Sequence, residues 1–235
     1  MKSVLFRRRE VWLPTVWGLL LLLAITVVVA LGLGRSAYAL LAPQAPAPGA
    51  RTLVVEGWLD ATELRQAVAV ARTGRYDRVL TTGGPIDPLV DAGDWKNYAV
   101  RAAAQLRAGG LTGAPIIAVI APASAQDRSY LSAVMVREWA ARNGVALDAI
   151  DLYSAGVHAR RSWVVYRMAF GDAVRVGVLS ARPTEYDPQR WWTSSTGAKT
   201  TLGEALSLAW TKCCFWPGPG GSHDERWGVP AAPAR

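Results

Sequence analysis

Apolar positions in this chain form one long block followed by five short ones. The long block, from Val11 to Gly34, carries no charge. At about 24 residues it exceeds the roughly 20 that take a helix across a bilayer. The short runs are Thr52 to Val55, Val79 to Thr82, Ile116 to Ile120, Ala149 to Tyr153 and Val174 to Leu179. Their β-branched and apolar residues predict buried strands, and the third run is apolar enough to be covered on both faces. Between the runs, apolar residues recur at helical spacing. The predicted helices run from Asp60, with Glu63 as capping-box partner, to Gly74; from about Trp95 to Ala108; and from near Asp127 to Asn143-Gly144. Two more run from His158 to Gly171 and from about Thr201 to Phe215.

Strand and helix alternate, which predicts a Rossmann-like, three-layer α/β domain. Its mostly parallel sheet has about five strands, and one N-terminal transmembrane helix precedes it. The expected divisions are a basic cytoplasmic tail (1–10), the span (11–34), and a stiff linker rich in Pro and Ala (35–50). The α/β domain (51–216) and a disordered tail rich in Gly and Pro (217–235) follow. An acidic loop through Asp87, Asp91 and Asp94 follows the second strand.

Charge sets the expected topology. Lys2, Arg7, Arg8 and Arg9 precede the span, so the amino end stays cytoplasmic and the domain lies on the extracytoplasmic side of the plasma membrane. The rival reading is a cleaved signal peptide, with Ala37-Tyr38-Ala39 as the cleavage site. Secretory apolar regions are usually about 7–15 residues, shorter than this one. Both readings export the domain. Apolar residues make up 51% of the chain and charged residues 19%, as in a globular domain with an added hydrophobic segment. The net charge of +8 fits either an anionic partner or solubility alone.

Cys213 and Cys214 are adjacent, a spacing that rarely reaches disulfide geometry, and they read as small apolar residues. No second cysteine pair exists for a metal site. Neither nucleotide-binding glycine fingerprint is present. The sequence specifies no cofactor, and nucleic acid is not an expected partner.

In an open parallel sheet, ligands bind outside the carboxyl ends of the strands. Polar groups follow all five predicted strands. After the fourth, His158 offers a proton shuttle near neutral pH. Arg160 and Arg161 beside it offer planar forks for phosphate or carboxylate. Basic side chains at a helix start oppose the helix dipole, which favours a functional reason for them. Glu56, leaving the first strand, is the candidate second acid–base group or an ion-pair partner for the arginines. Gly83 and Gly84 either admit a ligand close to backbone or simply make a tight turn. Asp127 and Arg128 open a helix and are candidate ligand contacts, with Asp127 also a natural N-cap. Tyr130 faces the same cleft or packs. Trp191-Trp192 reads as a lid, an interface anchor or core.

These strand ends resemble the YdcF/SanA/ElyC-like family of bacterial envelope domains, whose function is unknown. Leu53 to Gly57 is similar to the family's first strand, with Glu56-Gly57 for Gly-Gly. Val79 to Gly84 is similar to the second, with Thr82 for Ser. Asp127 to Tyr130 resembles the Thr-Tyr-x-Asn helix start, with Ala133 where Asn is usual. Leu152 to Arg161 resembles the strand leading to His-x-x-Arg. The resemblance spans about Arg51 to Phe215. It implies a Rossmann-like domain on a membrane anchor with a role in peptidoglycan or envelope carbohydrate. The expected function is to bind an anionic envelope ligand, with acid–base catalysis by His158 and Glu56. The alternative is a non-catalytic binding or regulatory module.

Overall fold

Leu53 and Val55 point to one side of their strand and Val54 to the other, yet all three are fully buried. A strand reads this way only when helices cover both faces of its sheet. This computed structural model describes residues 13–86, 93–124 and 128–218. The strands are β1 (Thr52–Glu56), β2 (Arg78–Gly83), β3 (Ile116–Ile120), β4 (Ala149–Ala155) and β5 (Arg175–Ala181). They form one five-stranded, all-parallel sheet in the order β3-β2-β1-β4-β5. The helices are α1 (Val16–Leu41), α2 (Ala61–Ala71), α3 (Tyr98–Ala108), α4 (Arg128–Arg142), α5 (Ala159–Phe170) and α6 (Ser195–Cys214).

Leu64, Ala67 and Val68 of α2 join Ala102 and Leu106 of α3 on the face that holds Leu53, Val55 and Val79. Leu131 and Val134 of α4 join Val165 and Tyr166 of α5 over Val54, Leu80 and Ile150. Each fully buried aliphatic side chain contributes about 1.5–3 kcal/mol, so the two layers dominate the stability. Local signals set the helix starts. Asp60 accepts from the N–H groups of Thr62 and Glu63, and Glu63 accepts from Asp60, which completes the capping box at α2. Asn97 caps α3 and Ser194 caps α6, so α3 starts later and α6 earlier than the periodicity predicts.

The chain divides into two units, 1–36 and 37–235. The first holds most of α1, a helix long and apolar enough to cross a membrane, with a mean hydropathy of 2.7. The expected basic tail lies outside the described residues, as do nearly all of the expected disordered tail and Asp87 and Asp91. Segment 35–50 is not the stiff linker expected. Helix α1 continues to Leu41, and the next residues run along β5, where Ala45 pairs with Val178. Asp151 explains this docking. Fully buried within β4, it accepts from the Ala47 N–H at 2.6 Å and the Tyr76 hydroxyl at 2.8 Å, with Arg75 at 3.4 Å. A buried carboxylate requires such partners. Gly177 leaves the space, because a Cβ there would meet Asp151 and Ala47 at 2.1 Å.

A second difference concerns the cysteines. Cys213 and Cys214 are joined as a vicinal disulfide at the exposed end of α6. The bridge closes almost no loop, so it removes little unfolded-state entropy.

Candidate functional site

The strand order places a topological switch between β1 and β4. From β1 the chain winds outward through β2 to β3, then crosses back to β4 and on to β5. The connections that leave β1 and β4 therefore diverge, and the crevice between them is where open α/β sheets bind ligands. Glu56 and Trp58 stand on one wall; Ser154, His158, Arg161 and Ser162 stand on the other.

Glu56 seals the base of this crevice. It is 2% exposed, and its two oxygens accept from the hydroxyls of Ser154 on β4 and Ser162 in the first turn of α5. Its partners are therefore serines, and of the two readings of Glu56 the ion pair with the arginines is not formed. Burial, with the nearby Glu56 carboxylate adding to it, pushes the Tyr166 phenol well above its ordinary value. Glu56 thus joins β1, β4 and α5 across the switch point.

Above it, a carboxylate from outside the sheet organises the basic residues. Glu204 on α6 accepts from Arg161 Nε at 2.8 Å and Nη2 at 3.1 Å, and lies 3.0 Å from His158 Nδ1. Burial alone would raise the Glu204 carboxyl, but the His158 and Arg161 hydrogen bonds and charges outweigh it and hold it at about 2. Glu204 is therefore ionised near neutral pH and accepts only. An ionised Glu204 can only accept, so the hydrogen in the bond between them is carried by His158 Nδ1. Arg161 Nη2 also lies 2.9 Å from Nδ1, and both nitrogens converge on Oε1 of Glu204. His158 Nε2 is buried with no hydrogen-bond partner among the described residues. The Trp58 ring stands edge-on to the imidazole at 4.8 Å and fixes its plane.

The other expected site residues separate. Arg160 turns away: its Nε donates to the Leu40 carbonyl at 2.7 Å, and its guanidinium lies over Trp163. Gly83 and Gly84 serve close packing. A Cβ at Gly83, whose φ is +150°, would lie 2.7 Å from Tyr98 Cβ, and one at Gly84 would lie 3.1 Å from the Pro122 carbonyl. Arg128 is exposed on the first turn of α4, which follows edge strand β3, two strands from β1 in the sheet order. Asp127 lies outside the described residues. Tyr130 packs edge-on against Phe215. Trp191 is buried and Trp192 partly exposed in the turn Pro188–Thr193.

Sequence reasoning missed Glu204, Ser154 and Ser162. Glu204 is 46 residues from His158 and sits in an otherwise ordinary helix, so no local signal marks it. It also missed Arg101, which donates to the carbonyls of Gly57 and Leu59 and holds the loop after β1. Arg182, exposed after β5, is pinned through its backbone by both amide atoms of Gln66. Among the described residues, no group of three His, Cys, Asp or Glu is placed to hold a metal ion. Comparison with known proteins finds no matching family model, no similar curated protein and no similar solved structure.

Proposed function

We propose that this chain is a membrane-anchored, extracytoplasmic protein that binds an anionic envelope ligand in the crevice between β1 and β4. His158 moves a proton on that ligand. The ligand class is a phosphorylated carbohydrate or lipid-linked group of the cell envelope. The observation that carries the reading is the state of His158: Nδ1 bonded to an ionised carboxylate, Nε2 buried and unpartnered. With Nδ1–H held by the carboxylate, the other ring nitrogen, Nε2, is the atom placed to exchange a proton with a ligand, in the arrangement of a general base with an orienting carboxylate. A ligand hydroxyl at Nε2 would also satisfy an otherwise unpaired buried atom.

Arg161 carries less of the anion binding than its position suggests, because Glu204 already matches its charge. Attraction for an anion falls instead to Arg182. Glu56 acts as a positioning residue. The apolar span of α1 supports an anchor. The YdcF/SanA/ElyC-like strand ends support an envelope role in peptidoglycan or carbohydrate. The second reading, a non-catalytic envelope-binding or regulatory module, is favoured by Glu56 and Arg161 both being engaged within the protein.

The test uses the full chain in detergent micelles with phosphorylated saccharides and lipid-linked envelope fractions. His158→Ala is expected to lower turnover by about 10²–10⁴-fold, the range for a general base, while saturable binding persists. Arg182→Ala is expected to weaken binding most at low salt. Unchanged turnover in His158→Ala would remove the acid–base role. Saturable binding with no turnover by the wild type would establish the module reading.

A further inference from the structure

Helix α6 has two unlike faces. Thr201, Leu208 and Thr211 are buried on the inner one. On the outer one, Leu202 is 60% exposed, Leu206 74% and Trp210 54%, spaced every fourth residue along one stripe. Ala209 and Cys213 are also exposed, and Trp216 just beyond the helix is 85% exposed. Single exposed apolar residues are ordinary, but an aligned stripe ending in two tryptophans marks an interaction surface. The helix's one acid, Glu204, is turned inward to His158 and Arg161, while Lys199 and Lys212 are exposed.

What meets this face follows from continuity with the anchor. On the inner side of α6, Leu208 packs in one cluster with Leu41 and Val157, flanked by Tyr38 and Ala205. Arg160 of α5 holds the Leu40 carbonyl. The uncharged run ends at Gly34, and the helical stretch from there to Leu41 rises only about 10 Å. Within its own unit, helix α6 therefore packs against residues 38–41, which follow the uncharged run by only a few positions in the sequence. Exposed leucines, tryptophans at the boundary and lysines on a helix with no outward acid are the chemistry of an interfacial helix on anionic lipid.

We propose that the outer face of α6, formed by Leu202, Leu206 and Trp210 with Trp216 beyond, lies on the lipid surface of the bilayer that α1 enters; this rests on the membrane-anchor reading above. Docking there holds the switch-point crevice close to the bilayer, because Glu204 of the same helix is part of it. Lipid-linked rather than freely diffusing ligands are then favoured.

The full chain, with Cys213→Ser and Cys214→Ser, is placed in vesicles of phosphatidylethanolamine and phosphatidylglycerol. An environment-sensitive fluorophore is attached through Leu206→Cys, through Ala24→Cys within the span, or through Asn143→Cys in the exposed turn after α4. The label at 206 is expected to shift to the blue and lose most of its emission to shallow doxyl-lipid. The label at 24 responds to deep doxyl-lipid, and the label at 143 responds to neither. A label at 206 that behaves like the one at 143, while the label at 24 is quenched, overturns the docking and leaves the anchor standing. Loss of quenching at both 206 and 24 overturns both. A blue shift at 206 without doxyl quenching, with energy transfer between differently labelled copies, identifies a second copy as the occupant and also overturns the proposal.

Discussion

Replacing Glu204 by Gln keeps the side-chain volume and removes the charge on which His158 and Arg161 converge. Three N–H groups lose an ionised acceptor, and the new amide N–H group faces donors. Removing one partner of a fully buried ion pair costs about 3–5 kcal/mol. Here the side chains of Arg161 and Glu204 are 26% and 17% exposed, so solvent partly screens the loss. The expected cost is about 2–3 kcal/mol. In a domain of this size that lowers Tm by roughly 5–10 °C. The pH dependence makes the test specific. The Glu204 carboxyl sits at about 2 in the folded protein, against 4.5 ordinarily. Between those values the unfolded chain binds more protons, so the Glu204 contribution is complete above the ordinary value and is lost as pH falls toward the folded one. Urea unfolding of the full chain in micelles, followed by tryptophan fluorescence, should show a wide gap between wild type and Glu204→Gln near neutral pH. The gap should narrow steadily as the solution is made acid. A gap that stays constant with pH, or one below about 0.5 kcal/mol at neutrality, would refute the reasoning.

Glu63 carries the opposite sign. Burial pushes its carboxyl up to about 7, with Asp60, Glu185 and Glu56 adding to the rise and the Asp60 N–H offsetting part of it. The folded form then holds a proton that the unfolded chain releases, so stability falls as pH rises from the ordinary carboxylate range to about 7, by roughly 1 kcal/mol after screening. In Glu63→Gln, which still suits a capping box, this slope should disappear from a Tm-versus-pH series; an unchanged slope assigns it to another group. Gly177→Ala forces a Cβ to 2.1 Å from Ala47 and Asp151 and should cost about 1–3 kcal/mol or more. Gly113→Ala, with no neighbouring atom within 4 Å, should stay within about 0.5 kcal/mol; equal Tm values for these two variants would remove the Asp151 account of how segment 42–50 docks.

The elements were legible because their causes are local. Apolar runs bounded by Gly, Asn and charged residues marked all five strands to within about two residues, as pairing extended β1, β2, β4 and β5. Asp60 with Glu63 announced the start of α2 through bonds closed within one helical turn. The site was legible only as an edge: parallel strands put Glu56 and His158 at the same end, whatever their order. Their partners could not be read, because Ser154 and Ser162 reach Glu56, and Glu204 reaches His158, only after the sheet has closed. Arg160 and Arg161 look equivalent in sequence, yet one helical step turns the first to Leu40 and Trp163 and the second to Glu204.

The sequence by itself determined the class of this protein: an apolar span followed by alternating strands and helices, whose periodicities and caps act over a few residues. Tertiary structure alone decided the order β3-β2-β1-β4-β5 and the crevice it opens between β1 and β4. It also decided the return of α6 that brings an ionised carboxylate to His158. The physical reason is range: periodicity and capping are properties of neighbouring residues, whereas a buried charge takes whichever partner the packed chain brings within hydrogen-bonding distance.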